Sequence, residues 1–250
     1  MLEKRSLGLV FQPMVELRSG NVLAHEALIR TPRSVGDLGF GGLMQVAKTQ
    51  SCQRQLELAC LDQAIECWLV ERGKGLLFVN ISASTLIELD DANAMDTLLE
   101  VLRKHKLQPK RLGLDITGYT QGSRTDALVR ALVPLRQAGI TIALDDFKAS
   151  DTSMQVWAEV LPQIVKLSPR WTRAVEHDED NCRALSKLAA LTHKHHSALL
   201  AKAVESENEL RILRDLGVDL AQGYFMGSPA QEPTSSLNLR ARAVLAQAPQ

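Results

Sequence analysis

The sequence predicts an α/β protein: a closed, TIM-like (β/α)8 barrel entered through an N-terminal hairpin that leaves one strand antiparallel to the others. Three observations carry this expectation. Short apolar runs alternate with helical segments along most of the chain, the pattern of parallel strands joined by crossover helices. About eight such runs fit within 250 residues, enough for the sheet to close on itself. The first two runs are separated only by Arg18-Ser19-Gly20-Asn21, a turn rather than a crossover.

The first strand is expected over Leu7–Leu17 and the second from Asn21 towards Glu26. A glycine-rich loop, 32–42, leads to a short helix over 43–49 and a long one over 53–71, stopped by Gly73-Lys74-Gly75. Leu76-Leu77-Phe78-Val79 has the unbroken apolar character of a strand buried on both faces. The same unit then repeats. Helices over 92–105, 124–138, 154–160, 181–193 and 207–216 precede strands over 112–114, 140–144, 163–165, 198–201 and 218–221. One barrel domain is expected over 1–235, followed by a tail, 236–250, of helical character around 237–246.

Bulk composition narrows the function. A chain with 45% hydrophobic and 23% charged residues is ordinary for a globular protein. Lysine plus arginine and aspartate plus glutamate both number 29, so no general electrostatic attraction to a nucleic-acid polymer is expected. No apolar run approaches the roughly 20 residues needed to span a bilayer, and Met1-Leu2-Glu3-Lys4 lacks signal-peptide character. Cys52, Cys60, Cys67 and Cys182 show no Cys-x-x-Cys spacing and suit a reducing cytoplasm. His193-Lys194-His195-His196 is expected to act as a cationic helix end rather than a metal cluster.

The functional signal lies in what ends the apolar runs. In order these residues are Glu26, Asn80, Asp115, Asp145-Asp146, Lys166, Lys202 and Gln222. Side chains at the C-terminal ends of barrel strands converge on one mouth. A single carboxylate there is explained by capping of the next helix, but several on one rim repel each other unless cations intervene, which points to a site of hard-metal ancestry. Alternation along the second strand also turns Glu26, Leu28 and Arg30 to one face, placing a guanidinium beside the carboxylate.

These motifs resemble the EAL domain of bacterial cyclic di-GMP phosphodiesterases over almost the whole chain, about residues 7–229. Phe11-Gln12-Pro13-Met14-Val15, Glu26-Ala27-Leu28-Ile29-Arg30, Val79-Asn80-Ile81-Ser82, Leu114-Asp115-Ile116-Thr117, Ala143-Leu144-Asp145-Asp146-Phe147 and Gln222-Gly223-Tyr224-Phe225 with Ser228-Pro229 occur in the family's order. The resemblance implies Mg²⁺ or Mn²⁺ held by Glu26, Asn80, Asp115 and Asp145, with Asp146 at a second metal and Lys166 orienting water or phosphate. It implies cyclic di-GMP contacts from Gln12, Glu26, Leu28, Arg30, Asp146, Gln222 and Pro229, and pGpG as the product of an active member. A homodimer and a signalling partner are also expected.

Four departures from the family pattern fall on the rim. Lys202 stands where the family has the glutamate linked to general-base catalysis, and Ser168 replaces an aspartate. Lys148-Ala149-Ser150 replaces Gly-Thr-Gly, which is expected to forfeit positive-φ positions. Asp115 stands where the family usually has glutamate, and Gly118 replaces the family's second acidic residue. An ammonium at 202 repels a divalent cation and accepts no proton while charged, so metal binding is expected to be weak or absent and catalysis absent or residual. The expected role is a cyclic di-GMP receptor. A nucleotide-independent docking module, or a weakly active phosphodiesterase using Glu205 as base, are the alternatives.

Overall fold

The computed structural model describes residues 7–31, 39–120 and 124–247. Eight strands close into a barrel in sequence order. They are β1 (Gly8–Glu16), β2 (Val22–Arg30), β3 (Leu76–Ser82), β4 (Leu112–Thr117), β5 (Thr141–Phe147), β6 (Ile164–Leu167), β7 (Ala198–Ala201) and β8 (Leu220–Ala221). β1 is antiparallel to both of its neighbours, β2 and β8, and the other pairings are parallel. The hairpin pairs Gln12 with Glu26, and its turn uses Gly20 at φ +69°.

Two separate apolar layers hold this sheet. The outer one lies between strands and helices and is built around residues such as Leu61, Trp68, Leu86, Leu132, Val165 and Leu210. The inner one plugs the barrel and consists of Met14, Ala24, Phe78, Ala143, Ile164, Leu200 and Leu220. β4 contributes Gly113 at this level, because the Phe78 ring takes its space: a Cβ on Gly113 would stand 2.3 Å from that ring.

The helices are α1 (Gly39–Thr49), α2 (Gln53–Val70), α3 (Ala83–Asp91), α4 (Asp96–His105), α5 (Thr125–Gln137), α6 (Asp151–Val160), α7 (Pro169–Ala174), α8 (Glu179–Lys194), α9 (Glu207–Asp215) and α10 (Leu239–Leu245). α1 starts four residues before the expected position, and the rest of the glycine-rich loop falls outside the described residues. The helix expected over 92–105 is α4, and α3 before it was not anticipated. α3 opens on Ser82, whose hydroxyl accepts from Thr85 N at 3.2 Å. Glu57 of α2 accepts from Ser82 N at 3.1 Å and from Ser82 Oγ at 2.9 Å, anchoring that start. α7 was not anticipated either; Pro169 at its first position supplies a preset φ.

α10 packs the tail onto α9. Ala241 and Val244 are buried, and Arg214 Nη1 donates to Val244 O at 2.9 Å. His193 and Lys194 do close α8, with His193 Nε2 2.9 Å from Asp219. Among the described residues no helix is long and apolar enough to cross a membrane.

Candidate functional site

Period-two alternation explains why polar residues collect inside the barrel. Two residues further along each strand from the inner apolar layer, the side chains point the same way. Ala24 gives Glu26, Phe78 gives Asn80, Gly113 gives Asp115, Ala143 gives Asp145, Ile164 gives Lys166, Leu200 gives Lys202 and Leu220 gives Gln222. On antiparallel β1 the step reverses, and Met14 gives Gln12. The result is a polar storey resting on the apolar plug.

Lys166 is its centre. The side chain is fully buried, and Nζ donates to Glu26 Oε2 and Asp115 Oδ2, both at 2.6 Å. Asn80 Nδ2 donates to Glu26 Oε1 at 2.7 Å, and Gln222 Nε2 donates to Glu26 Oε2 at 2.9 Å and to Gln12 Oε1 at 3.2 Å. Lys202 Nζ donates to Asp145 Oδ1 at 2.6 Å, with the lysine side chain 22% exposed. Thr172 fixes the Lys202 backbone by donating to its carbonyl at 2.6 Å. Asp115 Oδ1 and Gln222 Oε1 are buried without a partner.

Burial disfavours charge on Glu26, yet Lys166, Lys202 and Asn80 together outweigh it and hold this carboxylate at about 2, below its usual range. Asp115 goes the other way. Burial, helped by Glu26 and Asp145, outweighs Lys166 and raises it to about 7. Burial likewise opposes the charge on Lys166, but Asp115, Glu26 and Asp145 hold its ammonium above the ordinary lysine value.

Asp146 stands apart from this storey. It lies where the β5–β6 register shifts, at φ +53°, and its side chain is half exposed and 3.2 Å from Lys148 Nζ. Ala149 also sits at φ +53°, so the loop keeps a positive-φ position without glycine, contrary to expectation. Ala203, directly after Lys202, is at φ +56°. Ser150 begins α6 by accepting from Ser153 N at 3.3 Å.

Two recesses border the storey. One, of about 250 Å³, is lined by Gln12, Glu26, Lys202, Gln222 and Tyr224; the other, of about 690 Å³, by Arg30, Met44, Asn80 and Tyr119. Leu28 lines both, and Pro229 lines neither. Tyr119 was not singled out by the sequence. Gly118, at φ +65°, turns the chain before it, and its buried hydroxyl has no partner. Burial, with Asp145 and Asp146 nearby, raises that phenol well above its ordinary value.

The donor set does not fit a divalent metal as arranged. The carboxylates surround ammonium nitrogens instead of a common point. Among the described residues, no three carboxylate, imidazole or thiol groups stand close enough to share a cation.

The family model for the EAL domain matches residues 1–229. The chain belongs to the EAL domain family. Among relatives of this EAL domain is the bifunctional diguanylate cyclase/cyclic di-GMP phosphodiesterase MucR of Pseudomonas aeruginosa. It is 28% identical over 234 residues, which cover 91% of this chain and 34% of MucR. The cyclic di-GMP phosphodiesterase RocR of the same organism is 25% identical, over 89% of this chain and 57% of RocR. This EAL domain thus spans only 34% to 57% of the length of these relatives. The structure of the MucR phosphodiesterase in complex with c-di-GMP is 27% identical, with a TM-score of 0.78 over 92% of this chain and 94% of that one. The calcium/cy-diGMP complex of Klebsiella pneumoniae BlrP1 has a TM-score of 0.81 at 21% identity, a likeness of fold, over 93% of this chain and 58% of that one.

Proposed function

We propose that this EAL domain is a cyclic di-GMP receptor that has lost hydrolysis. The observation that carries the reading is the placement of two ammonium groups among the carboxylates: Lys166 between Glu26 and Asp115, and Lys202 against Asp145. Three carboxylates and two lysines leave this storey a formal charge of about −1, too little to attract a pair of divalent ions past Lys202. A protonated lysine at 202 cannot take a proton from water, so the step a general base would perform has no agent there. Mg²⁺ or Mn²⁺ therefore binds weakly or not at all. Gln12, Leu28, Arg30 and Gln222 still line the recesses and supply polar and apolar contacts for a nucleotide. Occupancy is relayed to a signalling protein in the cytoplasm.

The test is a calorimetric titration of cyclic di-GMP with and without Mg²⁺, paired with chromatography for pGpG. Saturable binding that ignores the metal, with no pGpG, is the expected result. Metal-dependent formation of pGpG would overturn the loss of hydrolysis. Absence of any binding heat would overturn the receptor reading and favour a protein-docking role.

A further inference from the structure

We propose that Lys202 binds a phosphodiester of the cyclic dinucleotide directly, so that two side-chain cations, Lys202 in one recess and Arg30 in the other, hold the ligand where metal ions would otherwise do so. This rests on the receptor reading above.

Geometry and donor counting support it. A lysine ammonium carries three N–H donors, and the structure gives Lys202 one hydrogen bond, to Asp145 Oδ1 at 2.6 Å. Lys202 lines the smaller recess and its side chain is partly exposed, so the remaining donors are available to a ligand there. Lys166 cannot do the same: it is fully buried, with Nζ spent on Glu26 and Asp115. Asp145 and the Thr172 hydroxyl fix Lys202 from its two ends, one at the ammonium and one at the backbone. The cation is thereby pre-positioned, which lowers the ordering cost of binding.

Arg30 is the counterpart. It lines the larger recess and pairs with no carboxylate among the described residues. Leu28 is the residue the two recesses share, two positions from Arg30 on the same strand. A cyclic dinucleotide carries two phosphodiesters on opposite sides of one ring, and the two cations line two recesses that share Leu28. Arg30 adds a positive charge that offsets the residual negative charge of the storey. Two carboxylates line the smaller recess: Glu26, held in an ion pair by Lys166, and Glu205, which opposes an anion there.

Calorimetry with cyclic di-GMP on four proteins tests the proposal: wild type, Lys202→Met, Lys202→Arg and the double variant Lys202→Met/Asp145→Asn. Loss of a charge-assisted contact predicts about 10- to 100-fold weaker binding for Lys202→Met, with most of the affinity kept in Lys202→Arg. The double variant restores charge balance without a cation. If Lys202 contacts phosphate, it stays weak. If it binds as wild type does, Lys202 is only a counter-ion for Asp145 and the proposal falls. Where wild type binds no cyclic di-GMP, the receptor reading fails separately. The lysine claim is then decided by titrating inorganic phosphate and following the ¹⁵Nζ resonance of Lys202, identified by its absence from Lys202→Met. A saturable shift supports phosphate contact, and an unmoved resonance overturns it.

Discussion

Lys166 Nζ stands 2.6 Å from Asp115 Oδ2, and the other oxygen of that carboxylate is buried with no partner at all. This half-satisfied ion pair is buried between β4 and β6 side chains, and its neighbour Glu26 shares the same ammonium. Removing the lysine would strand two buried carboxylates. Lys166→Met is expected to cost about 3–5 kcal/mol, the usual penalty for breaking a buried pair from one side. Urea unfolding checks this. The triple replacement Lys166→Met/Glu26→Gln/Asp115→Asn, which removes all three charges, should recover most of the loss; equal instability of both variants would show that packing, not charge, sets the cost.

The pH dependence follows from the opposite displacements of Asp115 and Glu26. Asp115 is raised from 3.8 to about 7, chiefly by burial, so the folded protein holds its proton more tightly than the unfolded chain. Its stabilising contribution is complete below 3.8 and is lost as pH rises through about 7. Glu26 is lowered from 4.5 to about 2 because its cationic and amide partners outweigh burial, so its contribution is present above 4.5 and lost as pH falls towards 2. Asp115→Asn should abolish the decline between 3.8 and about 7, where one proton can impose a slope of up to about 1.4 kcal/mol per pH unit. Urea midpoints at several pH values across this window, compared for the two proteins, give the answer. Parallel profiles would mean that Asp115 is ionised throughout.

Ala203 occupies φ +56° immediately beyond Lys202. A residue with a Cβ pays about 1–2 kcal/mol for that left-handed conformation. Ala203→Gly removes the strain at some cost in chain entropy and should stabilise by roughly 0.5–1 kcal/mol, raising Tm by about 1–4 °C in a domain of this size. Thermal unfolding measures it. A lower Tm would show that the methyl group packs well enough to offset its backbone.

Much of this site was legible in the sequence because polar side chains inside a barrel interrupt apolar runs. Seven of the eight storey residues were found as the stops of those runs, Gln12 being found only through the family motif. Their depth was misjudged. Glu26, Asn80, Asp115 and Asp145 do not end their strands: β2 continues to Arg30, and β3, β4 and β5 each run two residues further. A polar side chain pointing inward leaves the backbone free to keep pairing, so the apolar signal stops before the strand does. Asp146 was grouped with Asp145 by adjacency, but alternation and the register shift in β5 send it to solvent and Lys148. The positive φ of Ala149 and Ala203 was invisible because glycine, the residue that signals it, is absent from both positions. α3 and α7 were missed as well, although Ser82 and Ser168-Pro169 are recognisable starts.

Phe78 and Gly113 form the pair that supports the storey from below. The ring fills the barrel at the level where β4 carries no side chain, and a Cβ on Gly113 would lie 2.3 Å from it. Both residues lie two positions before a storey residue, Asn80 and Asp115 respectively, so crowding here displaces the polar groups above. Gly113→Ala alone should cost about 1–3 kcal/mol through overpacking. Phe78→Leu alone should cost a comparable amount by opening a cavity. The double variant exchanges volume between facing positions and should be more stable than the sum of the two losses implies, with a coupling of about 0.5–3 kcal/mol for residues in contact. Urea unfolding of the four proteins completes the cycle. Strict additivity would mean that the ring yields without cost, and that the plug does not fix the height of the storey.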